Sequence, residues 1–334
     1  MKKKEQLNEE IVNEQETPDV EPIEEEPKPE ETGYESEHLA NIETNRVEFL
    51  SFYRGQNIWK WVVGLAALAI ILVDFLVVPN FFPEGFNGGA RFAILLVIAG
   101  IALVGVGTYT ILIKRTLNKK MKKYFSDFYS ESNSYVFKQE GFTENELQTP
   151  DRIEQVQFDE NKIYFNVINV GSRGLTTFRY HEKPMYICDC AAQTKIEKAT
   201  KPVFVGKYLV GDSKYSESEP IIIYIKGDER SLPPTNVEET SLVLNEKDLY
   251  VYSNNKDWKK VVNSKVVKAL HKIQPHDHLI DVTISLVNGK AYFCLGYDDP
   301  LMVLPLQQPY DAKPLMQLKS DLVEFVNLLE ELDK

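Results

Sequence analysis

Cysteine is scarce: Cys188, Cys190 and Cys294 stand alone among 334 residues. A sparse, odd number argues against a disulfide framework. A basic excess is also missing. The formal net charge is -12, so nothing in the composition favours nucleic acid, and no nucleic-acid partner is expected. The common signatures of chemistry are absent as well: no paired-carboxylate motif, no nucleophile elbow, no dinucleotide fingerprint and no HExxH. The glycines of Gly105-Val106-Gly107-Thr108 are not a phosphate loop, because the Lys-Ser/Thr pair that grips a nucleotide does not follow them.

What is present is concentrated near the N-terminus. Ile58 to Val78 and Phe92 to Ile113 are apolar runs, each of about the 20 residues that cross a hydrocarbon core as a helix. The short link between them, PNFFPEGFNGGAR, makes the pair a transmembrane hairpin over 58–113. Arg46, Arg54 and Lys60 lead into it, Lys114, Arg115, Lys119, Lys120, Lys122 and Lys123 follow it, and the link carries only Arg91. The positive-inside rule then places both termini in the cytoplasm of a cell-membrane protein. Trp59 and Trp61 fall at the expected interface. Asp74 lies four residues, about 6 Å, from the end of its run and can reach the interface. Ala93, Gly100 and Gly107 form a narrow seam suited to close helix packing.

The flanks differ in character. Residues 1–37 hold 14 Asp/Glu against 4 Lys, a net -10 of the chain's -12, with four prolines and little to bury. A disordered acidic tail is expected. The acidic run also occupies the place of a signal-peptide apolar region, so no cleavable signal is expected. Residues 38–57 pattern as a short amphipathic cytoplasmic helix. Residues 114–134 alternate basic residues with Leu117, Met121, Tyr124, Phe125 and Phe128. They are expected to form a basic juxtamembrane helix lying against anionic headgroups near 114–125.

From about residue 135 to 334 the texture is globular. Val156, Phe158, Ile163, Phe165 and Val167 alternate with polar residues around Glu160-Asn161, predicting a hairpin. Gly171-Ser172-Arg173-Gly174 predicts a second turn leading into a strand over 176–190. Further strands are predicted at 203–209, 221–225 and 249–252. Trp258, Val262, Val266, Leu270 and Ile273 recur at helical spacing. Around Asn288-Gly289, the strongest turn signal, Leu286 pairs with Ala291, Ile284 with Phe293 and Val282 with Leu295 on the core face. Leu315, Leu318, Leu322, Phe325 and Leu329 make one stripe of a C-terminal helix. The fold class is α+β: a transmembrane α-helical hairpin, then a cytoplasmic domain of antiparallel β-hairpins with at least two packed helices.

Candidate chemistry is thin. Cys188 and Cys190 project from the same strand face, with His181 near in sequence. Zinc sites space their cysteines wider and need four ligands, so two core cysteines are the simpler expectation. His271, His276 and His278 cluster about Pro275, in what reads as a polar connection. Cys294 with a distant histidine imitates a nucleophile and base, yet it lies mid-strand. No catalytic residue and no cofactor are expected, and the metal candidates are His181, Cys188, Cys190, His276 and His278.

The order of parts resembles a bacterial family of two-span membrane proteins known as a domain of unknown function. The resemblance covers about 45–332. It is carried by Phe49-Leu50-Ser51-Phe52-Tyr53, Leu249-Tyr250-Val251-Tyr252-Ser253-Asn254-Asn255, Ser285-Leu286-Val287-Asn288-Gly289-Lys290-Ala291-Tyr292 and Asp299-Pro300-Leu301. It implies topology and fold, and no catalytic residue. The expected function is a membrane-anchored interaction or scaffold domain, with the bilayer and an unidentified protein as partners. The alternatives are a membrane-anchored hydrolase or metal enzyme using the Cys/His residues, and a subunit of a channel or transporter.

Overall fold

A computed structural model describes residues 33–81, 88–196, 199–237, 240–273, 275, 278–297 and 306–334. Residues 1–32, most of the expected acidic tail, lie outside the described residues. Two long helices come first. Helix α1 is Gly33–Phe81 and α2 is Gly88–Val136, each 49 residues and so about 74 Å long. Neither helix breaks where one expected segment passes into the next. The 38–57 helix and the first apolar run are one helix, and so are the second run and the 114–134 segment. No proline interrupts either stretch, and isolated glycines such as Gly55 and Gly105 lower helix propensity without ending a helix. Helix α1 also begins inside the segment expected to be tail.

Each helix has two halves of opposite surface. In the apolar halves, Trp61 and Leu76 of α1 and Val104 of α2 are 76%, 70% and 69% exposed. A core helix of a soluble domain would bury such residues, and an exposed apolar surface of this extent marks a site of interaction. Both helices are long and apolar enough to cross a membrane. The glycine seam is not used between them, because a Cβ at Gly100 or Gly107 would meet nothing within 4 Å. The side chain of Asp74 lies outside the described residues. In the other halves, Ile42, Phe49, Tyr124, Phe128 and Tyr129 are buried.

These lower halves pack on a nine-stranded sheet in the order β1-β2-β3-β4-β9-β8-β5-β7-β6, every neighbouring pair antiparallel. The strands are β1 Phe142–Leu147, β2 Val167–Tyr180, β3 Lys183–Ile196, β4 Ala199–Asp212, β5 Ile221–Lys226, β6 Leu242–Glu246, β7 Leu249–Ser253, β8 Leu279–Val287 and β9 Lys290–Tyr297. Among them lie the short helices α3 Gln155–Asp159, α4 Trp258–Val261 and α5 Ser264–Leu270, and α6 Lys313–Leu332 ends the chain. One face carries Val282, Ile284, Leu286 and Phe293 against α5, α6 and the ends of α1 and α2. The other carries Cys188, Tyr208, Tyr292 and Cys294 under Ile153, Phe158, Ile163 and Tyr164.

The Asn288-Gly289 hairpin forms in the expected register: Leu286, Ile284 and Val282 face Ala291, Phe293 and Leu295. All five residues of the α6 stripe are buried. Three expectations are corrected. Residues 156–167 are not a hairpin. Residues 155–159 form a turn of helix, where the Glu154 N–H donates to Gln157 Oε1 at 2.8 Å and Phe158 is driven wholly into the second core. The Gly171–Gly174 stretch is not a turn: β2 runs through it, with a register shift between Arg173 and Thr176. The turn comes at His181-Glu182, both at positive φ, the geometry of a two-residue hairpin. The single helix expected over 258–273 is two, because Asn263 caps a fresh start, accepting from the Lys265 and Val266 N–H groups.

Candidate functional site

The aromatic half of α2 is where the helices meet the sheet. Tyr124 stacks on Phe49 of α1, ring centroids 4.8 Å apart and planes at 8°. Phe125, one residue on, is half-buried and faces the rim of β2. Thus the apolar-aromatic face packs largely on α1 and the sheet, while Lys114 to Lys123 of the basic face stay exposed. Glycine permits close approach at two points, beneath α2 at Gly174 and between β4 and β9 at Gly206. At Gly174, φ is +65° and a Cβ would lie 2.3 Å from the Tyr129 ring. At Gly206, φ is +156° and a Cβ would lie 1.9 Å from the Leu295 carbonyl oxygen. Neither position has room for a side chain.

Between these surfaces is a cavity of about 470 Å³, within the usual size of ligand sites. Its walls are Phe49, Met121, Tyr124, Phe125 and Tyr129 from the helices, Gly171 to Arg173 of β2, Asp189 to Ala191 of β3, Val205 and Gly206 of β4, and Leu306. The walls are mainly apolar. Their one carboxylate is compensated: Asp189 accepts a hydrogen bond from the Tyr129 hydroxyl at 2.9 Å and pairs with Lys207. Burial, with Asp189 beside it, pushes the Tyr129 phenol well above its ordinary pKa, so it is a hydrogen-bond donor and not an acid. Arg173 is exposed at the rim, its guanidinium 4.9 Å from the centre of the Phe125 ring. Among the described residues it has no carboxylate at ion-pair distance. An apolar chamber with one uncompensated cation at its mouth suits an amphipathic guest of negative charge.

The sequence candidates are dispersed. His181 sits in the β2–β3 turn, its Nδ1 2.8 Å from Glu330 of α6. Cys188 and Cys190 are buried in the core on the other sheet face, as the strand period requires, and Cys294 is buried with them. In the ladder, Cys188 and Cys294 are both register partners of Tyr208. His271 caps α5, 3.4 Å from Glu246. His278 is half-buried before β8, and His276 lies outside the described residues. Among the described residues no group of three His, Cys, Asp or Glu is placed to hold a metal.

Burial pushes all three thiols above the ordinary cysteine pKa, the reverse of what a nucleophile needs. Iodoacetamide at neutral pH is therefore expected to leave Cys188, Cys190 and Cys294 unmodified in the folded protein and to alkylate all three in denaturant, as read by intact mass. Alkylation of any of them without denaturant would contradict their placement.

Sequence reasoning missed the cavity. Phe125 and Met121 were visible as an apolar face, but Arg173, Ala191, Val205 and Leu306 come from segments up to 257 residues from Phe49, and no local pattern joins them.

No protein-family model matches the chain, and no curated protein is significantly similar to it. Among solved structures, the crystal structure of the mycobacterial trehalose monomycolate transport factor A, TtfA, is similar over 61% of this chain and 94% of that one, with 14% identity and a TM-score of 0.34. A likeness at that score settles neither topology nor function.

Proposed function

We propose that the protein is a membrane-anchored, non-catalytic interaction module. The exposed apolar halves of α1 and α2 span the bilayer, and the sheet domain is held on the cytoplasmic side. The observation that carries this reading is the division of each unbroken helix into an exposed apolar half and a half packed into the domain. A helix of this kind transmits its position directly, so the sheet stands at a set height from the bilayer instead of swinging on a linker. The exposed band Lys114 to Lys123 falls immediately after the second apolar run, where it meets anionic headgroups of the inner leaflet. The buried cysteines and the dispersed histidines, among the described residues, give the enzyme reading no geometric support.

Trypsin treatment of inverted and right-side-out membrane vesicles tests the arrangement. The expected result is a carbonate-resistant membrane protein whose sheet domain is digested only in inverted vesicles. Digestion from the right-side-out face overturns the orientation, and release by carbonate overturns the anchoring.

A further inference from the structure

We infer that the cavity between α1, α2 and strands β2 to β4 receives an acyl chain of an anionic membrane lipid, with Arg173 paired to its headgroup. This rests on the anchoring proposed above.

Height along α2 is the first support. Met121, the cavity residue nearest the apolar run, lies eight residues beyond Ile113, about 12 Å along the helix. The headgroup layer occupies roughly 5–8 Å on each side of the hydrocarbon. The chamber therefore begins just beneath the headgroups, and a chain reaches it from the adjoining leaflet without leaving the protein surface.

Charge is the second support. The band from Lys114 to Lys123 attracts anionic lipid to this part of the surface. At the chamber itself Asp189 is satisfied by Tyr129 and Lys207, so Arg173 is the charge left to pair. Its guanidinium can bond a phosphodiester or carboxylate while it lies on Phe125. The third support is the wall. Phe49, Phe125 and Val205 offer a chain van der Waals contact and no polar group to desolvate. The N-terminal segment is a poor rival for this space, because it has few apolar side chains to insert.

The test uses the full chain in phosphatidylcholine nanodiscs that contain phosphatidylglycerol with a photoreactive acyl chain. Adducts are mapped by peptide mass spectrometry after illumination. The expected adducts fall within 58–113 and also on the 121–129 segment and Val205. Gly171→Trp is chosen to plug the mouth: a Cβ there meets nothing within 4 Å, so the backbone accepts a side chain, and an unchanged melting curve is the control for folding. It is expected to keep the 58–113 adducts and to lose those in the chamber. Arg173→Glu is expected to reduce chamber adducts about tenfold. A photoreactive phosphatidylcholine should label the apolar runs but not the chamber. Labelled runs with an unlabelled chamber in the unmodified protein overturn the inference and leave the anchoring standing, whether the acidic segment or a second copy fills the space. Unlabelled runs overturn the anchoring itself. Equal chamber labelling from both lipids, or none lost in Arg173→Glu, overturns the assignment of an anionic lipid.

Discussion

Raising the pH from about 4 to about 7 is expected to remove about 2 kcal/mol of stability through one carboxyl, Asp281, and Asp281→Asn is expected to abolish that loss. Asp281 is the third residue of β8 and is 2% exposed. Gly296 makes room for it from the neighbouring strand: a Cβ there would lie 2.3 Å from Asp281 Oδ1. Burial raises the carboxyl from 3.8 to about 6, against the opposing effect of a hydrogen bond from the Leu232 N–H, which reaches Oδ2 at 2.8 Å. Because the folded pKa is the higher one, the stabilising contribution is complete below the unfolded value near 3.8. It is lost as the pH rises through about 6, where the folded protein must carry a buried charge. Asparagine keeps an acceptor for Leu232 and carries no charge. Urea midpoints followed by near-ultraviolet circular dichroism should place the variant at or below the unmodified protein near pH 4 and above it near pH 7, since groups common to both cancel. Parallel pH profiles for the two proteins would refute the account.

Phe325→Ala is expected to cost about 3–5 kcal/mol, the range for removing a buried aromatic ring. Phe325 is 1% exposed at the middle of the α6 stripe, its ring centroid 6.1 Å from that of Phe293 at an interplanar angle of 57°. That tilted pairing adds to the area it buries. Leu322 and Leu329, on the adjacent turns, are also buried, so the backbone cannot collapse into the hole and a cavity remains. The urea midpoint should fall with the slope unchanged. Met316→Ala on the same helix is the control. Met316 is 52% exposed, and its truncation should change stability by no more than about 0.5 kcal/mol. A loss below about 1 kcal/mol for Phe325→Ala would show that α6 is not seated on β9.

These two positions differ in how far the sequence exposes them. Phe325 belongs to a stripe with helical spacing, and the β8–β9 register follows from Asn288-Gly289 with alternation on either side. There a strong local signal and the burial pattern agree. Elsewhere they conflict. Val156 and Phe158 alternate like a strand, yet the Gln157 side chain turns back on the backbone of Glu154 and the ring of Phe158 packs 5.1 Å from that of Tyr208. Long-range packing overrides an alternation only a few residues long. Strand β6 went unseen because five residues with no fully buried side chain look like loop. The spacing from Trp258 to Ile273 holds its period across a break that only the Asn263 cap reveals. The chamber is the furthest from local reading, since its walls meet only when α2 crosses the sheet, and Arg173 draws its meaning from Phe125 and the satisfied Asp189. Asp281 resembles any strand-edge acid until Gly296 is placed beside it.

The lower end of α1 is held by residues synthesised long after it. Arg46 donates through Nη1 to the Leu306 carbonyl oxygen at 2.7 Å, and the Tyr310 N–H donates to Glu43 Oε2 at 3.0 Å. With 260 residues between Arg46 and Leu306, a ribosome adding about 5–20 residues per second needs roughly 13–52 s to supply the second partner after the first. For that interval the two long helices exist without the surfaces they later clasp, their aromatic halves open to chaperones. The lower end of α1 is therefore fixed only once residues 306–310 have been made and have found it.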